Sequence, residues 1–186
     1  MDTKVALLDC AEAALRERGY DGFSYADLAE AVGIRKASIH HHFPTKADLG
    51  LALIERYSHT FFAKLDEIAV RNPTGGARLK GYIAACRSAL DEGRKLCLCI
   101  ALCTGRDGLS PPVLVKLDAF HVTVANWLTE AFAAGAADGS IILVTDPVAE
   151  AHACLAQMEG AQLIARAAVD VGRFDSATAA LSERLL

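Results

Sequence analysis

Between Ala31 and Ala47 the only charged side chains are Arg35, Lys36 and Lys46, and all three are positive. A neighbouring arginine and lysine can neutralise phosphate oxygens, and a guanidinium can also grip the O6/N7 edge of guanine. The plainer reading of Arg35 and Lys36 is a solvated surface pair. Ala37 and Ser38 come next and are small enough to let backbone approach base edges. Lys46 falls in the first turn of a helix, where amides and dipole already favour an anion, so it is expected to hold a phosphate. Ser24 and Tyr25 are expected to do the same at the start of an earlier helix. His40, His41 and His42 follow in a row. Successive helical residues point about 100° apart, so the three are not expected to form a metal site.

A second group of reactive side chains lies in Lys95–Cys103, KLCLCIALC. Helical spacing puts Cys99 and Cys103 on one face and Cys97 on another. Tyr82 and Cys86 share a face of the preceding helix, and Phe120, His121 and Trp127 are available from the following one. Several readings stand side by side. The cysteines can be small core residues, which would label slowly. They can line an apolar pocket without thiol chemistry. They can sense oxidants or electrophiles, with Lys95 lowering the pKa of Cys97. Cys99, Cys103 and His121 could also bind metal, although His121 lies on an apolar stripe and reads more simply as a core histidine. The six cysteines contain no CxxC pair, so structural zinc is not expected, and in a reducing cytoplasm they should be thiols.

Helices must position these groups. Ser24 with Asp27 makes a capping box, and Phe23 with Leu28 a hydrophobic staple, for a helix over Tyr25–Ala31. Gly33 supplies the left-handed turn. A second helix over Arg35–His42 stops at Phe43-Pro44. Thr45 with Asp48 caps a third, reaching about Val70 with Leu49, Leu53, Ile54, Tyr57 and Phe61 on one face. Two short helices around a glycine turn are the helix-turn-helix pattern, whose second helix enters the major groove. Ahead of them, Asp2–Arg18 is a buttressing helix with the stripe Leu7, Leu8, Ala11, Ala14 and Leu15, ended by Gly19. Asn72–Gly76 breaks the chain. Helices are then expected over Ala77–Asp91, Lys95–Thr104 and Pro111–Ala134, with Gly135–Ser140 a loop. Ile141–Val144 is an extended link with no strand to pair with. A long helix runs from Asp146-Pro147 to about Val171, Gly172 interrupts, and Asp175 caps a last helix. Ala149, Ala153, Ala156, Gly160 and Ala161 recur at helical spacing, suited either to intrachain packing or to a four-helix subunit interface.

The ordered set Ser24, Leu28, Ala29, Gly33, Ser38, Ile39, His40-His41-His42-Phe43 and Lys46 resembles the amino-terminal domain of the TetR/AcrR family of bacterial transcriptional regulators. The chain departs from that pattern twice. Arg35 stands where a serine or threonine usually caps the recognition helix, at a cost of about 1 kcal/mol. His40 stands where a tyrosine often touches phosphate. The resemblance implies an all-α protein with a DNA-binding domain over residues 1–46 and a ligand-binding and dimerisation domain over 47–186. It implies DNA contacts from Ser24, Tyr25, Arg35, Lys36, Ala37, Ser38, His40, His41 and Lys46. It implies a small-molecule pocket among the middle helices, where Tyr82, Cys86, Cys99, Cys103, Phe120, His121 and Trp127 are candidates. It favours dimerisation through the last two long helices, with Ala149, Ala153, Ala156, Gly160 and Ala161 at the contact.

Composition fits. The chain of 186 residues is 53% hydrophobic but only 6% aromatic, as for helices in close contact through small residues. The net charge of −4 argues against a general nucleic-acid coat and for a sequence-reading binder with few phosphate contacts. Residues 1–60 hold seven Lys/Arg and nine Asp/Glu, so the positive field at a groove must be local. No apolar run reaches the length of a membrane span, and the start of the chain carries acids inside its apolar pattern, unlike a signal peptide. A cytoplasmic location is expected. The sequence lacks a nucleophile elbow, a phosphate-cradling glycine loop and paired carboxylates, so neither enzymatic activity nor a cofactor is expected. The reading is a homodimeric regulator, a repressor of a palindromic operator released by a small molecule. The alternative is a thiol-based redox or electrophile sensor of the same fold.

Overall fold

The computed structural model describes residues 2–186, and among them the regular structure is helical throughout. The helices are α1 Thr3–Arg18, α2 Tyr25–Val32, α3 Lys36–His42, α4 Lys46–Arg71, α5 Gly75–Ser88, α6 Leu98–Cys103, α7 Pro111–Asp138, α8 Pro147–Ala168 and α9 Gly172–Ser182. Single 3-10 turns lie at Tyr20–Gly22 and Arg106–Gly108.

The chain forms two compact units, and their division differs from a cut at residue 46. The first takes the chain through His59 together with Cys97–Phe120. The second takes Thr60–Leu96 and His121–Leu186. In the first unit α1 packs on α2 and α6, and α2 on α3. The whole expected stripe of α1 is buried, and Leu28, Ile39, Leu49 and Leu53 join it in the core. In the second unit α8 and α9 form the most extensive pair, and α5 packs on both.

Local signals set the first helices. Asp2 caps α1 through a bond to Lys4 N. Both halves of the Ser24–Asp27 box form, and Asp48 repeats the pattern on Thr45 at 2.9 Å and 2.7 Å. The Ser24 bonds hold the Asp27 carboxyl below its ordinary pKa. Gly33 is left-handed at φ 75°, and its amide closes the end of α2. Arg35 precedes α3 with no side-chain cap bond, as its residue type implies.

Tertiary contacts moved several later boundaries. α5 begins at Gly75, so the two glycines are the first helical turn and not part of the break. A Cβ on Gly75 would strike the Gly135 backbone at 2.1 Å, and one on Gly76 the Ser140 carbonyl at 2.5 Å. Two glycines thus let α5 sit against the end of α7. The same contact carries α7 past the expected loop at Gly135 to Asp138, whose carboxylate accepts from Gly75 N at 2.9 Å and Ser140 N at 2.9 Å.

α6 starts at Leu98, three residues later than the periodicity suggests; Asp91, Glu92 and Gly93 take positive φ in the preceding turn, and Cys97 is still extended at ψ 138°. The Ile141 link does find a partner, in a single antiparallel bridge to Leu185, with Leu186 N donating to Ser140 O at 2.9 Å. Gly172 opens α9 and does not interrupt. The break falls at Val169, left-handed at φ 49°, and Asp170, which accepts from Gly172 N at 2.9 Å. Asp175 lies inside the first turn of α9 and pairs with Arg87 at 2.6 Å, so it is no cap.

Candidate nucleic-acid interface

α3 buries one residue of its own, Ile39, and leaves Arg35, Lys36, Ala37, His40 and His41 exposed, with Ser38 half-buried. Five of these six expected contacts are thus exposed, and no acid stands among them. His40 is anchored there by a ring-nitrogen contact of 3.0 Å to Pro44 O and an edge contact with Tyr25, ring centroids 5.0 Å apart. The ring centroids of His41 and His42 lie 5.5 Å apart. Lys4, which carries no local sequence signal for this role, places its ammonium 5.9 Å from the Phe43 ring centroid, directly after α3, and adds a cation there.

Two expected contacts hold the head together from inside. The structure turns Tyr25 inward, 8% exposed, with its hydroxyl donating to Phe43 O at 2.9 Å and Thr45 O at 2.6 Å. Burial first, then the Asp48 charge and Tyr20, push its phenol up to about 12. An aromatic at the start of α2 had read as a phosphate ligand because nothing local shows that it spans to the α3–α4 turn. The Lys46 ammonium donates to Phe23 O at 2.8 Å and lies 4.6 Å from the Phe23 ring centroid and 4.9 Å from that of Tyr20. Tyr20 in turn donates to Lys46 O at 2.8 Å. Its ring needs Gly50, where a Cβ would come within 3.1 Å. Neither Tyr20 nor Gly50 carries a sequence signal, since their roles exist only once α4 packs beside the Tyr20 turn. Ser24 is exposed at the α2 cap.

The seven ligand candidates divide between the two units. In the first, Cys99 and Phe120 are buried, but Cys103 is exposed, so it does not share the setting of Cys99 as its spacing had suggested. In the second, Tyr82 and Trp127 lie with ring centroids 5.9 Å apart, Cys86 is buried, and His121 Nε2 stands 3.0 Å from Glu159 Oε1. A groove of about 370 Å³ in the second unit is lined by Lys64, Glu67, Ile68 and Arg71 of α4 and by Gly81 and Ser88 of α5, and includes none of the seven.

On α8 the small residues also divide. Ala149, Ala153 and Ala156 are exposed, and a Cβ on Gly160 would meet nothing within 4 Å. Leu163 and Ile164 continue this open face at 41% and 54% exposure, and Ala179 and Ala180 are exposed on α9. Ala161 is 2% exposed and belongs to the opposite, intrachain face with Ala151, Met158 and Ala165. One residue along a helix turns about 100°, which separates Ala161 from Gly160.

The family description "Bacterial regulatory proteins, tetR family" matches residues 7–53. The HTH-type transcriptional regulator CymR of Pseudomonas putida is 35% identical over 98 residues, which is 53% of this chain and 45% of CymR. The chain thus matches less than half the length of that relative. The HTH-type transcriptional repressor NemR of Escherichia coli K12 is 24% identical over 174 residues, 89% of this chain and 84% of NemR. The crystal structure of a TetR-family transcriptional regulator from Agrobacterium tumefaciens superposes with a TM-score of 0.93 at 32% identity, covering 98% of this chain and 97% of that one. No helix among the described residues is long and apolar enough to cross a membrane.

Proposed function

This chain belongs to the TetR family of bacterial transcriptional regulators, and from that premise we propose that it represses a two-fold symmetric operator as a homodimer until a small molecule releases it. The observation that carries the reading is the exposed, acid-free surface of α3, with Tyr25 and Tyr20 spent behind it on rigidity. Arg35 and Lys36 meet phosphate or a guanine edge, Ala37 and Ser38 let the backbone approach, and His40 and His41 add hydrogen bonds. Lys46 keeps ammonium donors beyond its bond to Phe23 O for a phosphate. The open α8–α9 face supports the dimer, because a C2 pair presents two recognition helices about 34 Å apart, one turn of DNA.

Release follows from linkage. A ligand held by the helical region displaces α4, alters the spacing of the two heads, and weakens DNA binding only as far as it prefers the unbound form. The test is selection of binding duplexes from a random pool, followed by anisotropy titration with candidate inducers. An inverted repeat whose affinity falls for Arg35→Ala supports the reading. An asymmetric consensus, or one that Arg35→Ala binds equally well, would sink it.

A second reading of the release step, thiol-based sensing by the same fold, is favoured by one observation. The Cys97 sulfur accepts a hydrogen bond from the Tyr57 hydroxyl at 3.2 Å in the interior of the first unit.

A further inference from the structure

We propose that His40 meets an operator phosphate as an imidazolium, so that each subunit takes up a proton at this side chain when it binds DNA. The proposal rests on the reading of the α3 surface as a DNA interface and names how one residue of that surface works.

The geometry fixes which ring nitrogen is free. His40 Nδ1 stands 3.0 Å from Pro44 O. A carbonyl oxygen has no proton to give, so this contact is a hydrogen bond only when Nδ1 carries the hydrogen. A neutral imidazole has one N–H, and Pro44 O takes it. Nε2 is then a bare lone pair. Tyr25 holds the ring from another side, edge-on with the centroids 5.0 Å apart, while its own hydroxyl is committed to Phe43 O and Thr45 O. The His40 side chain is nonetheless exposed. To offer an N–H at Nε2, a neutral ring must give up the Pro44 bond. Protonation keeps that bond and adds a second donor.

A phosphate oxygen only accepts. It repels a lone pair and favours an N–H, most of all a charged one. On α3 the charged and titratable groups around His40 are Lys36, His41 and His42, with Arg35 just before the helix. On α2, which packs against α3, they are Tyr25, Asp27 and Glu30. The Tyr25 phenol, raised to about 12, stays neutral. Asp27 accepts from Ser24 N at 2.7 Å and from Ser24 Oγ at 2.8 Å, and Glu30 is exposed further along the helix. At the start of α4, Lys46 donates to Phe23 O and Asp48 accepts from Thr45 N and Oγ1. Lys4 of α1 lies over the Phe43 ring. Both capping carboxylates are thus engaged, and a DNA phosphate is the anion that completes an imidazolium here. The proton comes from solvent to Nε2 and returns when the DNA leaves.

The experiment uses the full-length protein and a duplex that it selects from a random pool. Affinity is read by anisotropy over a salt series at about pH 6 and about pH 8, on either side of ordinary imidazole titration. The parent is compared with His40→Gln, which does not protonate, and with His40→Tyr, whose hydroxyl donates to phosphate without a proton from solvent. His59→Gln, at an exposed position of α4, is the control. Between the higher and the lower pH the parent should tighten at least about fivefold more than His40→Gln. Its salt slope should steepen by about one per subunit, as one more phosphate is neutralised, and by less in both His40 variants. Calorimetry in two buffers of unequal ionisation enthalpy should count more protons taken up by the parent than by either variant. His59→Gln should follow the parent. The other histidines are common to the parent and the His40 variants, so the difference belongs to position 40.

If His40→Gln shows the parental pH dependence and proton uptake, His40 only braces Pro44 and the proposal is wrong. A loss of affinity in Arg35→Ala at both pH values would still leave the DNA interface standing. If the parent weakens on acidification more than His40→Gln does, Nε2 accepts from a base amino group and the proposal is equally wrong. If no duplex is selected at either pH, the interface and the proposal fall together.

Discussion

The surface of α3 and the open face of α8–α9 are both helix faces turned to solvent, yet their chemistry is opposite. α3 shows two cations, two imidazoles and small side chains, and its apolar Ile39 is hidden. α8 and α9 show Ala149, Ala153, Ala156, Gly160, Leu163 and Ile164, with carboxylates largely engaged elsewhere, as in Arg184–Glu150 at 2.8 Å and Arg87–Asp175 at 2.6 Å. A polyanion rewards the first arrangement. A second copy of the same apolar face rewards the other. Rigidity differs as well. The head is cross-braced by hydrogen bonds from Tyr20, Tyr25 and Lys46, whereas the outward α8 side chains are short and depend on close approach.

The largest effect is expected at the apolar face. Gly160→Leu has open space in the single chain, so the protomer should fold with parental stability. In the proposed dimer the leucine would intrude at a close helix contact at about 1–3 kcal/mol per site, and two-fold symmetry would apply it twice. If the proposed interface is right, sedimentation velocity should show the variant as monomer at concentrations where the parent sediments as a dimer. A dimer of parental strength would move the interface off α8.

At the charged face, Arg35→Ala and Lys36→Ala should each weaken operator binding by about 1–3 kcal/mol, and each lost phosphate contact should lower the salt slope by about one. Lys46→Ala should lower the slope similarly. It should also destabilise the head, because the ammonium braces Phe23 O. A salt series combined with urea titration separates the two roles.

Tyr25→Phe tests whether the bracing matters apart from DNA. It leaves the Phe43 and Thr45 carbonyls without their donor and should cost about 1–3 kcal/mol in urea unfolding near neutral pH, with dimer strength unchanged. The alkaline limb gives a further signature. The Tyr25 phenol is raised from 10.0 to about 12, so its contribution is complete below pH 10 and is lost as pH rises through about 12. The variant should therefore lose less stability than the parent across that interval.

The smallest effect belongs to Asp175→Ala. The Arg87 pair holds the Asp175 carboxyl below its ordinary value, but both side chains are nearly half exposed, so the loss should be under about 1 kcal/mol. A thermal shift comparable to that of Tyr25→Phe would show that this exposed pair holds the second unit as strongly as the buried Tyr25 bonds hold the first.

The sequence by itself determined the all-helical class, the helix-turn-helix and the acid-free composition of α3. Its signals there are local: Ser24–Asp27, Gly33 and Thr45–Asp48 act within four residues, and a 3.6-residue period needs no partner to be read. It also showed the small-residue stripe of α8. Only the tertiary structure decided which members of that stripe face out, and so separated Gly160 from Ala161. Only it turned Tyr25 inward, drew Gly75 and Gly76 into α5 against α7, delayed α6 behind three positive-φ residues, and set Tyr57 on Cys97. Most of these depend on a group distant in sequence, Tyr57 and Cys97 being 40 residues apart. A hydrogen bond across such a gap has no periodicity to announce it. The charge state of the buried Cys97 thiol depends first on its near neighbour Cys99 and then, beside burial, on that distant donor, while the residue itself reads only as one more small apolar side chain.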